Sequence, residues 1–159
     1  MMEAPVLELI SEWGKGMLPL SEDFKFHHYG LACKDLAKTA KLLEECGYTI
    51  GPFVNETGQK VVLSICLHPV LPCIEIVFAE GNDNPIHKII EKKDMRIYHT
   101  CYEVPNRHDA LQKIRNQGYR FVTVSPAKNT ILFNGDSVSF HFIKEFDLFE
   151  ILEKKIYEE

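Results

Sequence analysis

Four side chains able to do chemistry stand in matched places along this sequence: His28, Glu75, His99 and Glu150. Imidazole nitrogens and carboxylate oxygens together make a donor set for a borderline or hard divalent cation. A single histidine or glutamate in a strand is an ordinary structural or solvent-facing residue. Two of each, with a glutamate closing each segment that a histidine opens, form a constellation. The glutamates stand in Ile74-Glu75-Ile76 and Phe149-Glu150-Ile151, among apolar neighbours on both faces of their strands. An unpaired carboxylate buried there would cost several kcal/mol, and a bound cation removes that cost.

The elements that must position these groups repeat. The segment from His28 to Tyr48 aligns without a gap on the segment from His99 to Tyr119, at an offset of 71 residues, and both end in Gly-Tyr. Phe26–Cys33 and Ile97–Val104 are apolar and β-prone, and predict strands. Asp35 and Asn106 follow as helix N-caps. Leu36, Ala40 and Leu43 in the first copy, and Leu111 and Ile114 in the second, have helical spacing, and Gly47 and Gly118 stop the two helices.

Further strands are predicted at Tyr48–Val54, Lys60–Leu67 and Cys73–Ala79, then at Tyr119–Val124, Val138–Ile143 and Leu148–Leu152, with Asn134-Gly135 as a turn. Between the halves, Asn82-Asp83-Asn84-Pro85 reads as a loop and Ile86–Lys93 as a short helix. The expected fold class is α+β, with two βαβββ modules (24–80 and 95–153) joined by 81–94 into one domain over 24–153. Residues 1–20 read as an N-terminal extension in which Val6–Trp13 is helical.

The repeat also chooses among histidines. Strand alternation turns His27 away from His28, and the repeat selects His28 because Tyr98, not a histidine, precedes His99. His68, His87, His108 and His141 have no counterpart and read as surface or structural residues.

Composition excludes several classes. A chain of 159 residues with a formal charge of −5 does not carry the concentrated basic surface that phosphate binding needs. Its one basic cluster, Lys88, Lys92, Lys93 and Arg96, is interrupted by Glu91 and Asp94. No stretch approaches the roughly 20 apolar residues of a membrane helix, and the N-terminus has acids where a signal peptide has lysines. A cytoplasmic protein is therefore expected. Five cysteines without a Cys-x-x-Cys pair suggest neither a disulfide framework nor a thiolate zinc site.

At the motifs His28-Tyr29-Gly30-Leu31, Ile74-Glu75-Ile76-Val77, Tyr98-His99-Thr100-Cys101 and Leu148-Phe149-Glu150-Ile151, the sequence resembles the vicinal oxygen chelate superfamily. That superfamily includes glyoxalase I, methylmalonyl-CoA epimerase, extradiol dioxygenases and bleomycin-type resistance proteins. The resemblance implies a mixed sheet curled around a metal cleft, with His28, Glu75, His99 and Glu150 as ligands of Zn, Ni, Co, Mn or Fe. It further implies a lyase or isomerase that transfers a proton next to a carbonyl, on a glutathione thiohemiacetal or an acyl-CoA thioester. Glu150, at the metal and able to swing off it, is the first candidate for the catalytic base. The substrate is then a small molecule, and one chain holds a complete site, although family members often dimerise.

The alternatives are a metal-free binding or resistance protein on the same fold and, behind it, an extradiol dioxygenase. Four filled ligand positions, two of them glutamate, favour the glyoxalase and epimerase branches. The further acid expected in the epimerase strand after Gly58 is absent, since that strand reads Gln59-Lys60-Val61-Val62-Leu63-Ser64. Gln59 or Lys60 could orient a substrate there, but neither replaces a carboxylate base.

Overall fold

The computed structural model describes residues 23–155, so the expected N-terminal extension and its helix lie outside the described residues. In the first half, β1 (Lys25–Cys33) leads through α1 (Leu36–Glu45) to β2 (Thr49–Ile50), β3 (Val54–Glu56), β4 (Val61–Leu67) and β5 (Ile74–Ala79). A single-turn helix, α2 (Ile86–Ile89), connects to β6 (Met95–Val104), α3 (Arg107–Asn116), β7 (Phe121–Asn129), β8 (Ser137–Ile143) and β9 (Asp147–Glu153).

The two long helices begin and end as their sequences dictate. The Asp35 side chain accepts from the Lys38 amide at 3.0 Å, and Asn106 from the Asp109 amide at 2.9 Å, each satisfying a donor left free in the first turn. Gly47 and Gly118 then take φ of +93° and +89°, the left-handed conformation that ends a helix. Thr39 and Leu43 are the buried positions of α1, and Ala110 and Ile114 those of α3. Leu43 packs with Leu31, Cys33, Cys66 and Ile76, and Ile114 with Tyr102, Ile143, Phe149 and Ile151. One face of the sheet is thereby closed by helices, and alternation sends the intervening residues to the other face.

The strands form one open mixed sheet in the order β2-β4-β5-β1-β6-β9-β8-β7, with β3 also pairing with β4. β1 runs parallel to β5 and β6 parallel to β9, while β1 and β6 meet antiparallel at the centre. The sheet is not closed into a barrel, and it curls. Glu56, on the β3 side, is buried and accepts hydrogen bonds from the Thr130 hydroxyl and, at 3.0 Å, from the Leu132 amide, both beyond β7 at the opposite end of the strand order. Removing this carboxylate leaves the Thr130 hydroxyl without its acceptor and the Leu132 amide with only its 3.2 Å bond to Thr130 Oγ1. Glu56→Ala is expected to lower unfolding free energy by about 2–3 kcal/mol, read as a reduced denaturant midpoint; an unchanged midpoint would show that the clasp contributes nothing.

Three elements differ from the sequence expectation. The strand expected over Tyr48–Val54 is interrupted by Gly51-Pro52-Phe53. Gly51 approaches so closely that its amide bonds the Ile65 carbonyl at 3.0 Å, Pro52 has no N–H to continue the ladder, and pairing resumes at Val54. β7 extends to Asn129 through Pro126, which an edge strand tolerates, and its pairing with β8 shifts register twice along that stretch. The connecting helix is one turn, shorter than Ile86–Lys93.

Candidate functional site

The register of the two central strands builds the site. On the face away from α1 and α3, Glu75 of β5 lies beside Gly30 of β1, which lies opposite His99 of β6. The neighbouring row runs from His28 of β1 through Cys101 of β6 to Glu150 of β9. A glycine in the first row leaves the space that the His99 ring occupies: a Cβ on Gly30 would overlap that ring.

All four residues singled out in the sequence come together, and all are buried. His28 Nε2 lies 3.6 Å from Glu75 Oε2 and 3.4 Å from Glu150 Oε1. His99 Nε2 lies 3.7 Å from Glu75 Oε1, 3.9 Å from Glu150 Oε1 and 3.4 Å from His28 Nε2. Donor atoms each ~2.1 Å from one ion stand roughly 3.0–4.2 Å apart. His28, His99 and Glu150 offer donor atoms that all lie within 4.8 Å of one another. That group does not include Glu75, whose oxygens approach the two imidazoles. Glu150 Oε1, aimed at both imidazoles, has no hydrogen-bond partner among the described residues. A buried carboxylate oxygen left so is an unmet electrostatic demand that a cation would answer. The donor set therefore fits such an ion.

Electrostatics divides the histidines. Burial pulls His28 down, but the Glu75 and Glu150 carboxylates outweigh it and lift the imidazole to about 10. Burial holds His99 down at about 3, with Glu75 opposing and the His28 charge reinforcing. The Cys101 thiol, raised well above its usual range by burial and then by Glu150, donates to that carboxylate. Burial, with Glu75 and Glu150 adding to it, likewise keeps the Tyr98 phenol neutral.

A cavity of about 290 Å³ opens onto Glu75 and Glu150. Val61, Leu63 and Val77 from the first half face Val138, Phe140 and Leu148 from the second, so its walls are mainly apolar. Gln59, Asn84, Ser125, Lys128 and Thr130 supply the polar positions. Gln59 thus lines the cavity, whereas Lys60 is not among its lining residues, and the wall after Gly58 is formed by Val61 and Leu63 with no acid.

His27 does not behave as alternation predicts. The β1–β6 register shifts between Phe26 and His28, and again between Gly30 and Leu31, so His27 and Tyr98 are each an extra, bulged residue. His27 therefore reaches His28, with Nδ1 2.8 Å from Nδ1, and Tyr98 reaches the cavity wall. Phe133 stacks on His28 with centroids 5.9 Å apart, and Phe140 stands edge-on to His99 at 5.1 Å. No sequence signal marks these contacts except the offset that aligns Tyr98 with His27. The remaining histidines lie elsewhere. His68 accepts from the Val70 and Leu71 amides, His87 bonds the Gly81 carbonyl, His108 is exposed, and His141 is buried between Ser139 and Thr123.

The model of the glyoxalase/bleomycin resistance protein/dioxygenase superfamily matches residues 27–140. No curated protein sequence matches the chain. Among solved structures, methylmalonyl-CoA epimerase from Mycobacterium tuberculosis superposes with a TM-score of 0.70 at 19% identity, covering 90% of this chain and 96% of that one. A hypothetical protein from Bacillus halodurans does so at 0.70 and 20%, covering 87% and 99%. A variant of Streptomyces coelicolor methylmalonyl-CoA epimerase in complex with 2-nitronate-propionyl-CoA gives 0.64 and 17%, covering 83% and 98%. At these identities the likeness is one of fold. Among the described residues no helix is long and apolar enough to cross a membrane.

Proposed function

The chain belongs to the glyoxalase/bleomycin resistance protein/dioxygenase superfamily, and on that premise we propose that it is a metal-dependent enzyme moving a proton next to a carbonyl group. The substrate class is a small thioester or thiohemiacetal, an acyl-CoA or a glutathione adduct. The observation that carries the reading is the convergence of two imidazoles and two carboxylates at the base of an apolar cavity, with one carboxylate oxygen unpartnered.

His28, Glu75, His99 and Glu150 would hold the ion. When bound, a divalent cation supplies Lewis acidity toward a carbonyl oxygen and a positive charge where negative charge develops. Glu150 is the base: its carboxylate takes the proton from the carbon beside the carbonyl, the C–H electron pair moves to form an enolate, and the same acid returns the proton to carbon. Cys101, donating to Glu150, keeps the carboxylate oriented. The apolar walls keep water from the carbanionic species itself, so Glu150 reprotonates it, after its acid proton has exchanged with solvent. That a fold relative binds 2-nitronate-propionyl-CoA supports a thioester as the first substrate to try.

The test is exchange in heavy water. Metal-loaded protein should incorporate deuterium at the α-carbon of an acyl-CoA thioester or of the methylglyoxal–glutathione adduct, and chelation should abolish it. Loaded protein that exchanges none of the compounds offered would sink the proposal.

A further inference from the structure

Each bulge inserts one residue immediately before a site histidine, His27 in β1 and Tyr98 in β6. The two insertions occupy equivalent places in the repeat but have different results. Tyr98 lines the cavity, and His99 Nδ1 has no hydrogen-bond partner among the described residues. His27 instead places Nδ1 2.8 Å from His28 Nδ1.

We infer that His27 is a positioning residue for the site: its Nδ1 accepts the Nδ1–H of His28, so that His28 presents Nε2 to a cation held with Glu75, His99 and Glu150. The inference rests on the reading of those four residues as a metal site.

Two ring nitrogens at hydrogen-bonding distance share one proton, and its position decides what His28 can do. With the proton on His28 Nδ1, the lone pair of a neutral His28 lies on Nε2, the atom 3.4 Å from both Glu150 Oε1 and His99 Nε2. With the proton on His27 Nδ1, neutral His28 would carry its own proton on Nε2 and could not ligate. Phe133 holds both rings in place: it stacks on His28 and stands edge-on to His27, 5.4 Å away and at 87°. Tying the second nitrogen of a ligand histidine fixes its tautomer and ring plane, and loss of such a partner weakens metal binding about 10–100-fold.

Cobalt(II) affinity of the full chain, measured by competition with a chromophoric chelator, tests this. His27→Ala should raise Kd about 10–100-fold, and His27→Asn, whose Oδ1 can accept where Nδ1 did, should recover most of the loss. If His27→Ala does not fold, the wild type still decides. Zinc-loaded protein with ¹⁵N-labelled histidine should show nitrogen–nitrogen coupling across the His28–His27 hydrogen bond, with the His28 proton on Nδ1. A Kd for His27→Ala within about twofold of wild type would overturn the inference alone, as would a His28 proton on Nε2. A wild type that takes up no metal would remove the site reading and this inference with it.

Discussion

Gly30→Ala is expected to give a folded protein that has lost its hold on a divalent cation. The added Cβ would stand within 2.6 Å of His99 Nε2, and closer still to other atoms of the same ring. The imidazole cannot stay where it is. It is packed between Gly30, Tyr98 and Phe140, with Tyr98 4.5 Å and Phe140 5.1 Å from it, centroid to centroid. Displacement therefore costs packing, of the order of 1–3 kcal/mol for an overfilled site, and removes one of four donor atoms. The affinity loss should exceed the about 100-fold that deleting a supporting partner can produce. Gly58→Ala is the matching control, because nothing lies within 4 Å of the Cβ it would add. A Gly30→Ala protein that binds metal as the wild type does would show that His99 is not needed at the site.

The second large effect is at Glu150. Glu150→Gln keeps the shape of the side chain but removes the group that can accept a proton. If Glu150 is the base, α-carbon exchange should fall by about 10²–10⁴-fold, the range general acid–base catalysis supplies. Glu75→Gln should be milder, because an amide oxygen can still serve as a ligand and the unpartnered buried oxygen belongs to Glu150. The comparison is best made at saturating metal, so that a change in affinity is not read as a change in chemistry. Equal losses in the two variants would argue that Glu150 acts only as a ligand.

How far the molecule can be read from its sequence depends on distance along the chain. The offset of 71 residues aligns His28 with His99, and the structure repeats it in register, with Gly30 beside Glu75 and Cys101 beside Glu150. The caps Asp35 and Asn106 were equally legible, because a cap is decided by groups three residues away.

Strand alternation was a poorer guide where it assumed an unbroken ladder. A bulge adds one residue and resets the faces, so His27 bonds His28 where alternation turned it away. Gly51-Pro52 broke an apolar run that composition alone read as one strand, and Pro126 did not end β7 because an edge strand needs no donor there. The Glu56 clasp was illegible for a different reason. Its partners lie 74 and 76 residues away, and only the curl of the sheet brings them together.

The central claim is that His28, Glu75, His99 and Glu150 are one metal site. Elemental analysis of protein purified without chelators, compared with Gly30→Ala prepared identically, tests it most directly. The account predicts a stoichiometric divalent metal in the wild type and its loss in the variant. A wild type as free of metal as the variant, and unable to take metal up on addition, would contradict it.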